Sequence, residues 1–173
     1  MMISVPGKTT TGNGGIKTDH LTEFVDLFPT LVELAGFPKL KTCPVDSAVD
    51  WAKNALCTEG SSLVPLMEDP ERTDWKQRVF SQVIRKPEHK GNDVMGYSMR
   101  TTQYRYTEWV GFLGKPYYVP IWERLVGAEL YDHVNDPGEN VNLFRRKEYK
   151  QVVRNLSDVL HKGWRYALPT TQQ

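Results

Sequence analysis

Histidine and cysteine are scarce in this chain of 173 residues, with four of the first and two of the second. The histidines, His20, His89, His133 and His161, are not paired with one another at ligand spacing, and there is no Cys-x-x-Cys. A zinc site is therefore not expected. No Gly-x-Ser-x-Gly elbow occurs. The glycine-rich stretch 7–18 lacks the Gly-Lys-Ser/Thr that must follow four variable residues in a phosphate-binding loop. No apolar run approaches the roughly 18–20 residues of a membrane helix. The start, Met1-Met2-Ile3-Ser4-Val5-Pro6-Gly7, has no basic segment and too short an apolar one to read as a secretory signal. Excess charge of one sign is also missing: 22 Lys and Arg against 21 Asp and Glu leave +1. That balance argues against a dedicated nucleic-acid binder.

What is present suits one domain, with 39% hydrophobic and 25% charged residues, a globular rather than a disordered composition. The neutral balance hides segregation. Residues 1–71 carry 5 basic and 10 acidic groups, residues 72–105 carry 8 and 3, and residues 106–173 carry 9 and 8. The basic stretch includes Lys76, Arg78, Arg85, Lys86, Lys90, Arg100 and Arg105. Such a concentration either attracts a polyanion or is a solvated face. Cys43 and Cys57, with thirteen residues between them, either close a loop or stand as free thiols. A bridge there stabilises by roughly 3 kcal/mol and implies an oxidising compartment. Asn155-Leu156-Ser157 matches the N-glycosylation sequon, although it falls in a predicted helix.

The spacing of apolar residues predicts the elements. Met2–Val5 reads as a buried strand ended by Pro6-Gly7. Asp19 caps a helix with Leu21, Phe24, Val25, Phe28, Val32 and Ala35 on one stripe, which Pro29 kinks or restarts and Gly36 ends. Residues 38–75 are irregular, with a possible short helix over 49–56. Val79–Ile84 reads as a buried strand. Residues 95–101 and 104–110 alternate aromatic or β-branched with polar side chains and form a hairpin. Ala128–Asp132 is a further strand, and Asn135–Glu139 a turn. A helix spans 145–161, with Tyr149, Val152, Val153, Leu156, Val159 and Leu160 on one face and Gly163 as its stop. The fold class expected is α+β: a small antiparallel sheet packed with a C-terminal helix. Met2–Val5 has no obvious partner strand.

Chemistry is thin. His133 between Asp132 and Asp136 suggests a metal cluster, but Asp136-Pro137-Gly138 is a turn in which Asp bonds its own backbone. His89 reads either as a substrate-facing group or as an exposed loop residue. Tyr97, Tyr104, Tyr106 and Trp109 read either as stacking surfaces for sugar rings or as core.

Three segments carry a resemblance. Residues 94–111, Val-Met-Gly-Tyr-Ser-Met-Arg-Thr-Thr-Gln-Tyr-Arg-Tyr-Thr-Glu-Trp-Val-Gly, closely resemble a hairpin of iduronate-2-sulfatase-type enzymes. Residues 127–143, with Glu-Leu-Tyr-Asp, Asp-Pro-Gly-Glu and Asn-Leu, resemble a C-terminal sulfatase signature. Residues 25–36, Val-Asp-Leu-Phe-Pro-Thr-Leu-Val-Glu-Leu-Ala-Gly, resemble a helix of the same family. Gly60–Leu66 and Ser81-Gln82 fit the same order, so the resemblance runs from about residue 3 to 166.

The resemblance implies a sulfatase of the alkaline-phosphatase superfamily, hydrolysing sulfate esters with a formylglycine nucleophile and a calcium ion. The family's nucleophile and metal ligands have no counterpart in this chain. It is therefore expected to be the C-terminal part, with residues 1–37 ending the α/β core and 38–173 forming a C-terminal subdomain. Calcium and formylglycine belong to an N-terminal part, and the chain alone is expected to bind neither and to be inactive. Gln82, Arg85, His89 and Arg100 are the candidate substrate-pocket residues, with Arg100 and Gln82 also readable as structural hydrogen-bonders. The substrate class is sulfated glycosaminoglycan of the iduronate 2-sulfate type, and the partner is the N-terminal sulfatase domain. Membrane and nucleic acid are not expected partners. Animal members of such a family are lysosomal or secreted, and bacterial ones periplasmic or extracellular. The Cys43–Cys57 pairing fits a short disulfide loop of the animal enzymes, although the loop is longer here. The competing reading is a non-catalytic polyanion-binding module on the same fold, or a sulfatase of other sugar specificity.

Overall fold

A computed structural model of the chain describes residues 1–9, 15–44, 56–85 and 93–169. The chain divides into two compact units, Met1–Lys76 with Leu168–Gln173, and Gln77–Ala167. The expected boundary after residue 37 lies inside the first of these.

In the first unit, residues 2–5 form no strand, and the Met2 side chain is fully exposed. A strand needs a neighbour for its backbone groups. Here a tight turn serves instead, with Lys8 N and Thr9 N donating to Val5 O, while Ile3 packs on Leu63, Leu66 and Trp75. The helix expected from Asp19 begins later. A 3-10 turn, Phe24–Asp26, runs into α1, Leu27–Leu34. The cap is Glu23, in a reciprocal box with Asp26, rather than Asp19. Pro29 is the third residue of α1, where a missing N–H costs no helical bond.

Strands β1, Lys41–Thr42, and β2, Cys57–Thr58, form a short parallel pair joined by the Cys43–Cys57 disulfide. Helix α2, Val64–Glu68, follows. The short helix expected over 49–56 falls almost wholly outside the described residues.

The buried centre of this unit is polar as well as apolar. Lys76, 2% exposed, places Nζ 2.6 Å from both Glu23 Oε2 and Asp26 Oδ1. Asp26, fully buried, also accepts from the backbone N–H groups of Ser61 and Glu23 at 2.8 Å each. Gly60 permits this approach, because a Cβ there would lie 2.3 Å from the Val25 carbonyl oxygen. Thr30 Oγ1 donates to Asp26 O and accepts from Leu63 N.

The 3-10 turn and α1 together thus bury polar groups, Asp26 and Thr30, beside Leu27 on the apolar cluster. Their apolar side is largely exposed: Phe24 of the turn is 86%, Phe28 48% and Leu31 64% exposed. A surface helix ordinarily shows the reverse arrangement.

The second unit is one antiparallel sheet in the order β3-β4-β5-β6. The strands are β3, Arg78–Arg85; β4, Val94–Thr101; β5, Tyr104–Leu113; and β6, Val119–Asp132. The hairpin appears where the alternation put it. β3 is an edge strand, exposed from Ser81 to Arg85, and not the buried strand its apolar run suggested. β6 begins nine residues before the expected Ala128, and register shifts opposite Trp109–Gly111 break its alternation.

A 3-10 turn at Lys147–Tyr149 leads into α3, Lys150–Lys162, slightly later than expected. Gly163 ends α3 at φ +79°, a conformation that favours glycine. Met99, Tyr106, Leu130 and Leu160 form the core, with Val152, Val153, Leu156 and Val159 of α3 packed on it. No described helix is long and apolar enough to cross a membrane.

Candidate functional site

Side-chain alternation sorts the sheet into two faces. Met99, Tyr106 and Leu130 are cross-strand partners in the core under α3, and Tyr97 and Glu108 share that inner face. The outer face carries Arg85, Ser98, Arg100, Arg105, Thr107, Trp109, Glu129 and Tyr131.

On the inner face, the buried Glu108 is a hub. Its Oε1 accepts from Tyr106 OH at 2.8 Å and Ser157 Oγ at 2.6 Å, and Oε2 lies 2.9 Å from His161 Nε2. Burial, reinforced by the Glu108 charge, pushes the Tyr106 hydroxyl well above its usual pKa. Trp122 stacks between Tyr97 and His161, at 4.9 and 4.2 Å between ring centroids. A cavity of about 440 Å³ opens beside them. Ser157 donates to the carboxylate and not to the imidazole, so the group lacks the nucleophile–base contact of a hydrolytic relay. It is a brace that ties α3 to the sheet.

On the outer face, Arg105 grips Glu139 with two guanidinium nitrogens, Nε donating at 2.6 Å and Nη2 to the other oxygen. His133 Nε2 stands 2.5 Å from the same carboxylate, and the Arg105 guanidinium lies 4.9 Å from the Tyr131 ring. Glu139 itself adopts φ +54°, a left-handed conformation uncommon for a non-glycine residue. The Arg105 bonds, with His133 adding, hold the Glu139 carboxyl below the usual range. Asp136 is lowered by backbone hydrogen bonds at Asn140 and Val141. Burial pushes Asp132 up, but hydrogen bonds from Asn135, Gln103 and Val134 outweigh it, and its pKa is lowered too. The metal cluster weighed at His133 is instead an ion-pair and turn network. Among the described residues, no group of three or more His, Cys, Asp or Glu is placed to hold a metal ion.

Three depressed carboxyls predict an acid-labile sheet end. A carboxylate with a lowered folded pKa stabilises fully above its unfolded value, near 4, and loses that contribution as pH falls through the folded value. The melting temperature should therefore fall between pH 5 and 2. Glu139→Gln should cost about 1 kcal/mol at pH 7 and flatten the acid slope. Circular-dichroism melts across that range check this, and an unchanged slope in the variant would count against it.

Among the described residues, the sequence-expected site residues do not converge. Gln82 pairs with Tyr97 and so sits on the inner face, whereas Arg85 pairs with Val94 and, like Arg100, sits on the outer one. Gln82 and Arg85 are exposed. Arg100 is half-buried and donates to Thr101 O at 2.6 Å. Burial, opposed by Glu139, lowers its guanidinium pKa. His89 lies outside the described residues. Asn155 is exposed on α3 and accepts from Gln151 at 2.9 Å. Two features went unforeseen: the Glu108–Ser157–His161 brace, which joins residues about fifty positions apart, and the pairing of Trp109 with Glu129. Only the strand register brings these groups together.

The model for N-sulphoglucosamine sulphohydrolase, C-terminal, matches residues 1–165. The chain belongs to this sulfatase C-terminal family. Mouse iduronate 2-sulfatase is 32% identical over 162 residues, covering 83% of this chain and 28% of the mouse protein. Human iduronate 2-sulfatase is 34% identical over 148 residues, covering 75% of this chain and 26% of the human one. This sulfatase C-terminal domain thus spans little more than a quarter of those relatives. Among solved structures, one in complex with its substrate, D-glucosamine-2-N,6-O-disulfate, aligns at a TM-score of 0.53 and 22% identity. The alignment covers 82% of this chain and 24% of that one, and it supports the fold alone.

Proposed function

We propose that the chain is the C-terminal part of a sulfatase that hydrolyses sulfate esters of a glycosaminoglycan of the iduronate 2-sulfate type. It shapes the substrate pocket, while a separate N-terminal part carries the formylglycine and the calcium ion. The observation that carries this reading is the family match over residues 1–165, joined to relatives of which the chain spans only 28% and 26%. The inverted α1 supports it, because an exposed Phe24–Phe28–Leu31 stripe suits a helix covered by the rest of a larger enzyme. The Cys43–Cys57 bridge fits a lysosomal, secreted or periplasmic setting.

The reading is tested with the chain alone and with a chimera in which it replaces the matching 28% of mouse iduronate 2-sulfatase. The chain alone should show no turnover of an iduronate 2-sulfate substrate, since in this reading the groups that clamp the sulfate belong to the N-terminal part. The chimera should turn the substrate over. A folded chimera that is inert would overturn the reading and leave the polyanion-binding module in its place.

A further inference from the structure

The outer face of the sheet holds a second cavity, of about 450 Å³, walled by Arg85, Trp109 and Glu129 with Val126, Gly127 and Asn142 around them. Trp109 has glycine as its cross-strand partner on both sides, Gly96 on β4 and Gly127 on β6. A Cβ at Gly96 would lie 2.7 Å from Trp109 Cζ3, and one at Gly127 would lie 4.0 Å from Cδ1. The indole therefore extends over both neighbouring strands, and its approach at residue 96 excludes any side chain there. Its N–H donates to Glu129 Oε1 at 2.8 Å, which fixes the ring and leaves its carbon surface to the cavity. Arg85 stands at the exposed end of the edge strand, and its guanidinium has no ion pair or hydrogen bond among the described residues. Glu129 is partly balanced by Arg105, whose Nη2 is 3.8 Å from Oε2.

An anchored aromatic surface, a planar cation unpaired among the described residues and a carboxylate acceptor around one cavity match the chemistry of an anionic sugar. The C–H face of a pyranose packs on the indole. A ring sulfate or carboxylate takes the guanidinium in a two-point bond, and a hydroxyl donates to Glu129. A purely apolar ligand would leave Arg85 and Glu129 unused, and a polyphosphate would bring several charges to one guanidinium beside Glu129 and leave the indole surface unused. We propose that this cavity is a binding subsite for an anionic saccharide, with Trp109 as its floor and Arg85 as the partner of the sulfate or carboxylate. The proposal rests on the glycosaminoglycan reading for the identity of the sugar, but binding requires no catalytic part.

The test titrates the full chain with a heparin-derived tetrasaccharide and with its desulfated, carboxyl-reduced counterpart, followed by tryptophan emission and calorimetry. The sulfated sugar should bind and change the emission, and the neutral one should bind more weakly. Arg85→Ala, on an exposed strand end, should weaken the sulfated sugar by about five-fold and leave the neutral one unchanged. Trp109→Phe should remove most of the emission change while the far-UV spectrum stays that of the parent. Full emission change in Trp109→Phe, equal loss for both sugars in Arg85→Ala, or no binding by the parent would each overturn the subsite. An active chimera with no tetrasaccharide binding would sink the subsite alone, and binding beside an inert chimera would sink the sulfatase reading alone.

Discussion

Lys76→Met should lower the stability of the unit formed by residues 1–76 by about 3–5 kcal/mol, which is the cost of leaving a buried carboxylate without its partner. Lys76 Nζ is the cation that compensates Asp26, and neither side chain has measurable solvent contact. Methionine fills much the same volume, so the loss is electrostatic rather than a cavity effect. A domain's whole stability is about 5–15 kcal/mol, so this loss is a large fraction of it. Urea titration followed by the Trp75 environment measures it, since Trp75 is buried in the same unit and its indole donates to Leu21 O at 2.9 Å. Lys76→Met combined with Asp26→Asn should cost clearly less than the sum of the two single changes, because the neutral amide no longer needs the cation. The double variant should not recover fully: Asp26 also accepts from Ser61 N and Glu23 N, and an amide offers only one acceptor to those two donors. A single Lys76→Met variant that melts with the parent would show that the triad is not holding α1 in place.

Asp26 also marks where sequence reading stops. Its neighbours Leu27, Phe28 and Leu31 set a helical period that is easy to see, and the natural inference is that the apolar stripe faces a core. The structure buries Asp26, Pro29 and Thr30 instead and leaves Phe24, Phe28 and Leu31 largely exposed. Periodicity finds a face but does not say what lies against it. Met2–Val5 fails for a related reason, since an apolar run becomes a strand only where another strand accepts its backbone. By contrast, β4 and β5 were legible because each alternates with period two and a two-residue turn, Thr102-Gln103, fixes their pairing. The first half of β6 was not, because register shifts opposite Trp109–Gly111 disturb the alternation.

The candidate site shows the same division. The sequence places Gln82 and Arg85 three residues apart, and an odd spacing on a strand puts them on opposite faces. Trp109 and Arg85 are twenty-four residues apart in the chain, yet they wall one cavity through the register of three strands. Residue type and local order therefore indicated the family, while the convergence of side chains required the sheet.

The inverted helix leads to the second large effect. Phe28→Asp with Leu31→Asp should abolish activity of the iduronate 2-sulfatase chimera while costing the chain alone only about 1–2 kcal/mol, from partial loss of packing and the weaker helix propensity of aspartate. Phe28 is 48% and Leu31 64% exposed in the chain, so aspartate removes only the smaller, already shielded part of their packing there. In the chimera, burial of a phenylalanine and a leucine contributes about 1.5–3 kcal/mol each. Losing both, and desolvating two carboxylates as well, should exceed about 4 kcal/mol, or roughly a thousand-fold in any docking equilibrium. The two measurements must be read together. If the isolated chain melts far below the parent, the stripe packs within the chain and the loss in the chimera is only unfolding. If both the chain and the chimera are indifferent, the catalytic part does not lie on this face. Loss in the chimera with a chain only slightly destabilised is the result expected from a helix whose polar side is held by Lys76 and whose apolar side waits for the rest of the enzyme.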